Sequence, residues 1–195
     1  MEQIAYFLEK SLPEDQIKFF LDQSAKKIDS EGWGRTGRNT AIKIKNFVDC
    51  WVTEEAFKQL LIEKKVWFRH RGLYFGDPEG AGPDFTVKIN GKEKTLGIRS
   101  VGLESLTTWR SVAYPEDRFN NEQDKIAHYH VVCNHCNGKV KFYGLISKDE
   151  LLQELGYSSK IYSRKNQEFF RRVPLHKFHF TDLVCLIEEM DKVKS

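Results

Sequence analysis

The stretch GPDFTVKINGKEKTLGIRS, residues 82–100, contains the clearest fold signal in the chain. Two short runs with strand-like composition, DFTVKI and TLGIRS, lie on either side of the segment NGKEK. Asn90 and Gly91 are residue types that tight turns with positive φ favour. The stretch therefore predicts an antiparallel β-hairpin.

The second strand of this hairpin has one apolar and one polar side. Because side chains alternate along a strand, Leu96 and Ile98 should face the core, whereas Gly97 and Arg99 should face the opposite side. Asp84 begins the preceding strand, so antiparallel pairing could bring its carboxylate to the polar side of the second strand. The hairpin would then assemble a small charged site.

Helical sequence precedes the hairpin. The first 29 residues are predicted to be helical, since in SLPEDQIKFFLDQSAKKI Ser11 is a candidate N-cap and Glu14 completes a capping box. The glycine-rich segment EGWGRTGRNT, residues 31–40, interrupts the helical sequence, and a second helical region ends in TEEAFKQLLIEKK. This segment and GDPEGAG, residues 76–82, lack the context of a phosphate-binding loop and are predicted to be ordinary loops.

Strand and helix signals continue after the helical region. VWFRHRGLYFG begins a three-strand meander, and IAHYHVVC and KVKFYGLI follow an irregular stretch as two further strands. Ser147 and Glu150 form a capping box at a helix start, and an amphipathic helix closes the chain. We therefore predict a mixed α/β domain at residues 46–195, a central sheet flanked by helices, with a helical extension at residues 1–45.

The composition is that of a globular protein with a substantial core. The chain has 195 residues, of which 40% are hydrophobic and 30% are charged, and its net charge is +3. Its longest apolar run is far shorter than the roughly 20 residues that span a bilayer. The first residues include acids and lack a long apolar stretch, which predicts no secretory signal and a cytoplasmic location.

The hairpin and its surroundings resemble the PD-(D/E)XK nuclease superfamily, which has the restriction-endonuclease-like fold. Pro83-Asp84 matches the first family motif, and LGIRS lies where the second is expected. The resemblance covers residues 46–187 as an order of elements. It implies a Mg²⁺-dependent endonuclease, active mainly on DNA and accepting Mn²⁺ as a substitute, with Asp84 as a metal ligand.

Two positions depart from the family pattern. Gly97 stands where the second carboxylate is expected, and glycine has no side-chain oxygen for a hard cation. Arg99 stands where lysine is expected; it can contact the scissile phosphate, but its high pKa makes it a poor proton acceptor. These departures leave open a descendant without catalytic activity that binds nucleic acid or a protein partner, or a small adaptor domain.

An acid on the preceding helix could replace the missing ligand. Glu54 lies three and seven residues before Phe57 and Leu61 and so shares their helical face. We predict Glu54 as the second metal ligand and as a catalytic residue together with Asp84 and Arg99. Glu93 and Glu104 are weaker candidates for the same role.

Basic residues occur in three clusters with interleaved aromatics, a composition that can bind a phosphate backbone and stack bases. The plain alternative for each cluster is a solvated surface. We predict nucleic acid as the partner, DNA before RNA, no membrane partner, and an oligomeric state open between monomer and homodimer. The predicted nucleic-acid contacts are Arg35, Arg38, Arg69, Arg71, Arg110, Arg171 and Arg172.

The segment CNHC, residues 133–136, has the spacing of half a structural zinc site. No second half exists in the sequence, since the two remaining cysteines are isolated. The alternative is a strand end and turn, in which Cys133 is buried and His130 lies on the opposite face from Val131.

Overall fold

A computed structural model describes residues 7–31, 40–72, 82–121, 123–164 and 167–193. The predicted loops at residues 31–40 and 76–82 lie almost entirely outside the described residues, as do Arg35 and Arg38. None of the described helices is long and apolar enough to cross a membrane.

The described residues form nine strands and six α-helices. The strands are β1 Leu8–Ser11, β2 Phe68–His70, β3 Phe85–Ile89, β4 Lys92–Ser100, β5 Ser111–Pro115, β6 Tyr129–Cys136, β7 Lys139–Ser147, β8 Ile161–Ser163 and β9 Glu168–Pro174. The helices are α1 Glu14–Glu31, α2 Thr40–Glu63, α3 Leu103–Thr107, α4 Glu116–Asn121, α5 Lys148–Tyr157 and α6 Phe180–Glu189.

The main sheet has six strands in the order β1-β7-β6-β4-β3-β2. Its neighbouring strands are antiparallel except β4 and β6, which are parallel. The predicted hairpin is confirmed: β3 and β4 pair around Asn90 and Gly91, whose φ angles are 52° and 75°. Asn-Gly turns favour positive φ. The local sequence therefore determines which residues of β3 and β4 pair.

One face of the main sheet packs against α2. The helix buries an apolar side that includes Trp51, Phe57 and Leu61. The ring of Phe57 lies edge-on to Phe85 of β3 and Phe142 of β7, with centroid distances of 5.4 and 5.5 Å. Because these rings are fully buried, they fix the helix across the sheet.

The opposite face of the main sheet is covered by a second sheet of three strands, in the order β5-β9-β8. A separate apolar cluster fills this layer and joins Val132 and Ile146 of the main sheet to Val112 and Val173 of the small sheet. The protein is therefore a mixed α/β structure in which helices and a second sheet enclose a mixed central sheet.

The N-terminal prediction is partly wrong. Residues 14–31 are helical as expected, but Ser11 is not the N-cap, because it belongs to β1 and pairs with Lys139 of β7. Pairing with a distant strand determines the structure of this segment, and local sequence does not report such a partner. The boundary predicted between residues 45 and 46 falls inside α2, which continues without a break.

The small sheet is the other feature that the sequence prediction missed. Segments β5 and α4 occupy the stretch predicted to be irregular, and β8 and β9 were not predicted. By contrast, the capping box at α5 is confirmed, since the Ser147 side chain accepts from the Glu150 N–H and the Glu150 carboxylate accepts from the Ser147 N–H.

We expect Phe57→Ala to destabilise the protein by about 3–5 kcal/mol, because the substitution leaves a cavity among buried rings. The control is Ile62→Ala on the same helix, where the side chain is 54% exposed; its effect should stay within about 0.5 kcal/mol. Urea unfolding of both variants measures the two values. Equal losses would show that the helix is not held by this aromatic contact.

Candidate functional site

Asp84 is fixed at the start of β3, next to β4. Its backbone N–H donates to the Leu96 carbonyl at 3.0 Å, and its Oδ2 accepts from the Ile98 N–H at 2.7 Å. The carboxylate therefore lies beside Gly97, as the hairpin alternation predicted. Leu96 and Ile98 are buried in the core cluster on the α2 side, which is also as predicted.

Glu54 reaches the same region from α2. Its side chain is on the buried face with Phe57 and Leu61, as predicted, and the residue is 7% exposed. Its Oε2 lies 3.1 Å from the Nε2 of His70 on β2. Glu55, one residue later, points elsewhere and pairs with Lys58. A nearly buried carboxylate is costly unless it has partners, so its retention here marks a candidate functional site.

His70 holds the Glu54 carboxylate as a neutral donor. The His70 ring stacks on Phe85 with centroids 4.5 Å apart. Burial lowers the pKa of His70 to about 4, and the positive charges of Lys58 and Arg71 act in the same direction. The charge of Glu55 raises the pKa of His70, but burial outweighs it. In the neutral tautomer that carries its proton on Nε2, His70 donates to Glu54.

The charges of the predicted catalytic residues all act on the thiol of Cys50. Burial raises the pKa of the Cys50 thiol to about 12; the charges of Glu54 and Asp84 raise it further, while Arg99 lowers it. All three side chains are therefore within electrostatic reach of this thiol.

Arg99 lies on the polar side of β4, facing the small sheet. Its Nε–H donates to Nδ1 of His130 at 3.4 Å, and its guanidinium carbon lies 5.2 Å from the ring centroid of Tyr114. Tyr114 and His130 also contact each other edge-to-face at 5.6 Å. Two aromatic residues from different strands thus hold the guanidinium in place.

Gly97 packs closely against its neighbour His130. The two residues pair directly across the parallel β4 and β6 strands. A Cβ at position 97 would come within 3.3 Å of His130 Nδ1 and 3.7 Å of the Ala127 Cβ. The imidazole therefore fills the space beside Gly97, and a larger side chain at this position would have to displace it.

The oxygen donors at the site are the carboxylates of Asp84 and Glu54. Across the described ranges there is no group of three or more His, Cys, Asp or Glu side chains that could hold a metal ion. Mg²⁺ usually keeps several waters and takes one or two carboxylates from the protein. Two carboxylates are the ligand type and number that a largely hydrated Mg²⁺ or Mn²⁺ ion takes from a protein, whereas the described residues offer no group for a metal that needs three or four such ligands.

The residues of the CNHC segment do not form a zinc site. Cys133 is buried, and its thiol lies 3.5 Å from the Arg99 carbonyl, whereas Cys136 is exposed. The Nδ1 of His135 contacts Asp49 at 3.1 Å, while its Nε2 accepts from the Gly138 N–H. The strand-end alternative is the correct one.

The predicted nucleic-acid contacts that the structure describes have different surroundings. Arg69 is paired with Glu93 at 2.7 Å. The Arg71 N–H donates to the Asp84 carbonyl, which places Arg71 beside the site. Arg110 is exposed and has a positive φ of 45°.

Arg171 and Arg172 are neighbours in β9 with different surroundings. The Arg171 guanidinium pairs with both oxygens of Glu116, at 2.5 and 3.1 Å, and donates to the carbonyls of Leu155 and Ser158. These contacts engage all of its nitrogens within the fold. Arg172 stacks on Trp109 at 4.3 Å.

His70, His130 and Tyr114 belong to the site but were not predicted. Local sequence could have indicated His70, because it lies in β2, and β2 pairs with the strand β3 that follows Asp84. No local signal indicates His130 or Tyr114, because the first depends on β6 pairing with β4 and the second on β5 of the small sheet packing against His130. Comparison of the chain with protein-family models, curated proteins and solved structures finds no match.

We expect Gly97→Ala to cost about 1–2 kcal/mol of stability, because the new methyl group crowds His130. The cost should disappear in a His130→Ala background, where the crowding is relieved. Gly156→Ala is the control, since its Cβ would meet nothing within 4 Å; in a helix this change should stabilise the protein. A double-mutant cycle by chemical unfolding gives the coupling, and zero coupling would contradict the contact.

We expect Glu116→Gln to destabilise the protein by about 1–3 kcal/mol at pH 7, because it removes the charge that Arg171 binds. The hydrogen bonds from Arg171 hold the pKa of Glu116 below its ordinary value. The ion pair thus stabilises the fold fully above the unfolded-state pKa of Glu116, and this contribution is lost as the pH falls through the folded-state pKa.

The same variant therefore differs less from the unchanged protein in acid than at pH 7. Unfolding at the two pH values measures the difference. Asp117→Asn, the neighbouring exposed acid, serves as the control and should have little effect. A Glu116→Gln effect that does not change with pH would rule out the ion pair as its cause.

Proposed function

We propose that this protein is a metal-dependent endonuclease with a restriction-endonuclease-like arrangement, and that it hydrolyses phosphodiester bonds in nucleic acid, with DNA as the first substrate to test. The observation that carries this proposal is that the charges of two acids and one cation, Glu54, Asp84 and Arg99, all act on the thiol of Cys50. Glu54 comes from α2, whereas Asp84 and Arg99 belong to the β3–β4 hairpin. Two acids and a cation that act on one point are a feature of phosphoryl-transfer sites.

The order of elements supports the same proposal. A helix with an inward acid precedes the β2-β3-β4 meander, and a crossover leads to β6, which lies parallel to β4. Asp84 and Gly97 occupy the positions in this meander that correspond to the two family motifs. The topology thus agrees with the resemblance independently of the individual residue matches.

Each residue of the proposed site has its own role. Asp84 and Glu54 would hold the metal ion. The ion, when bound, would activate water and stabilise charge on the scissile phosphate. Arg99, held by His130 and Tyr114, would contact the phosphate and favour its developing negative charge. His70 is a positioning residue, because its hydrogen bond fixes the Glu54 carboxylate without touching the substrate.

A second candidate function is nucleic-acid binding without cleavage. The contact between Gly97 and His130 favours it, because the imidazole occupies the space beside the position of a missing ligand. A site that had lost its second family carboxylate could keep the basic surface and the fold. This candidate differs from the first in needing no metal ion.

We expect the protein to nick or cut plasmid, single-stranded DNA or RNA in the presence of Mg²⁺ or Mn²⁺. Asp84→Asn and Glu54→Gln should each reduce the rate by roughly 100-fold or more, because each removes a charge that holds the ion. Both changes keep an oxygen that can accept the bond from Ile98 or from His70. Cleavage rates across metal concentrations measure the effect.

Glu55→Gln is the matched control for Glu54→Gln, since Glu55 lies on the same helix and pairs with Lys58. It should cut at the rate of the unchanged protein. Equal rates for the unchanged protein and Asp84→Asn would identify a contaminating nuclease. Absence of cleavage on every substrate with both metals would overturn the catalytic proposal and favour the second candidate.

A further inference from the structure

An exposed aromatic pair lies on the outer hairpin of the small sheet. Tyr162 of β8 and Phe169 of β9 face each other across the two strands, and their ring centroids are 5.0 Å apart. Tyr162 is 50% exposed and Phe169 is 45% exposed. The rings of Phe57 and Phe85, in contrast, are fully buried. The outer pair therefore offers flat apolar surface to solvent.

Positive charge surrounds this pair. The Nζ of Lys160 lies 4.5 Å from the ring centroid of Phe169. Arg164 is exposed at the end of β8, directly after Ser163, which pairs with Glu168. Glu168 is the one acid in the sequence between residues 157 and 172. Aromatic rings in a net positive setting suit a polyanion that has π-surfaces to stack.

The aromatic pair shares a sheet face with a residue of the candidate site. Tyr114 is paired with Arg171 across β5 and β9, and Phe169 lies two residues from Arg171 on the same strand. Because side chains alternate, Tyr114, Arg171 and Phe169 point to one face of the small sheet. The Cα atoms of Phe169 and Tyr114 are thus about 9 Å apart by strand geometry.

We propose that the β8–β9 hairpin binds single-stranded nucleic acid, with bases stacked on Tyr162 and Phe169 and the backbone held by Lys160 and Arg164. In a duplex the base faces are already stacked on each other, so only an unpaired strand can offer them to these rings. The inference rests on the proposed function for nucleic acid as the partner. It does not depend on cleavage, because the hairpin contains neither Asp84 nor Glu54.

The experiment measures fluorescence anisotropy of labelled oligothymidine, oligouridine and a duplex of equal length, in EDTA to prevent cleavage. The unchanged protein should bind the single strands more tightly than the duplex. The double variant Tyr162→Ala/Phe169→Ala should lose about tenfold or more in affinity for oligothymidine, since stacking on each ring contributes to binding. Tyr162→Phe keeps the ring and should retain the affinity.

Phe19→Ala is the matched control, because Phe19 is 49% exposed on α1. It should bind as the unchanged protein does. Lys160→Gln should weaken binding. It should also lower the slope of log affinity against log salt concentration by about 1, because one phosphate contact is lost. Circular dichroism of each variant checks that the fold is intact, as expected for changes at exposed positions.

Unchanged affinity in the double variant, equal binding of duplex, or an equal loss in Phe19→Ala would overturn the inference. Binding to anionic phospholipid vesicles without binding to oligonucleotides would also overturn it and indicate a membrane surface. Metal-dependent cleavage together with unchanged binding in the double variant would reject the proposed binding by the hairpin and leave the endonuclease proposal in place. Binding that depends on the two rings, without cleavage, would reject the endonuclease proposal and leave the hairpin proposal in place.

Discussion

The contact between Phe57 of α2 and Phe85 of β3 determines the geometry of the candidate site. Phe85 follows Asp84 directly, and Glu54 precedes Phe57 by three residues, which is about one helical turn. The two rings meet in the core at 5.4 Å. Because one buried contact joins the helix and the strand, it also fixes the two carboxylates relative to each other.

His70 connects the aromatic core to a polar residue of the candidate site. Its ring stacks on Phe85 and its Nε2 meets the Glu54 carboxylate. The aromatic core that holds α2 thus also positions the partner of a nearly buried acid. Burial keeps the imidazole neutral, so His70 meets Glu54 as a hydrogen-bond partner and not as a cation.

The packing of Arg99, His130 and Tyr114 depends on Gly97. With no side chain at this position, His130 of β6 can approach β4, bond to Arg99 and contact Tyr114 of the small sheet. A glutamate at position 97 would compete with the imidazole for space. Arg99 is therefore held by two aromatic residues, His130 and Tyr114, on the side of β4 that faces the small sheet.

Local sequence signals predicted the parts of the fold that depend on neighbouring residues. The Asn90-Gly91 turn, the Ser147–Glu150 capping box and the inward face of Glu54 are all of this kind, and all three are confirmed. The strand β1 and the small sheet depend on pairing with distant segments, so local sequence gave no indication of them. The same reason explains why His130 and Tyr114 were missed.

Binding of Mn²⁺ tests the two-carboxylate site most directly. Electron paramagnetic resonance of Mn²⁺ titrated with the unchanged protein, Asp84→Asn and Glu54→Gln reports the bound ion without requiring a substrate. The account predicts one bound ion in the unchanged protein and a marked loss of affinity in both variants. Equal Mn²⁺ binding in all three proteins, or none in the unchanged protein, would contradict it.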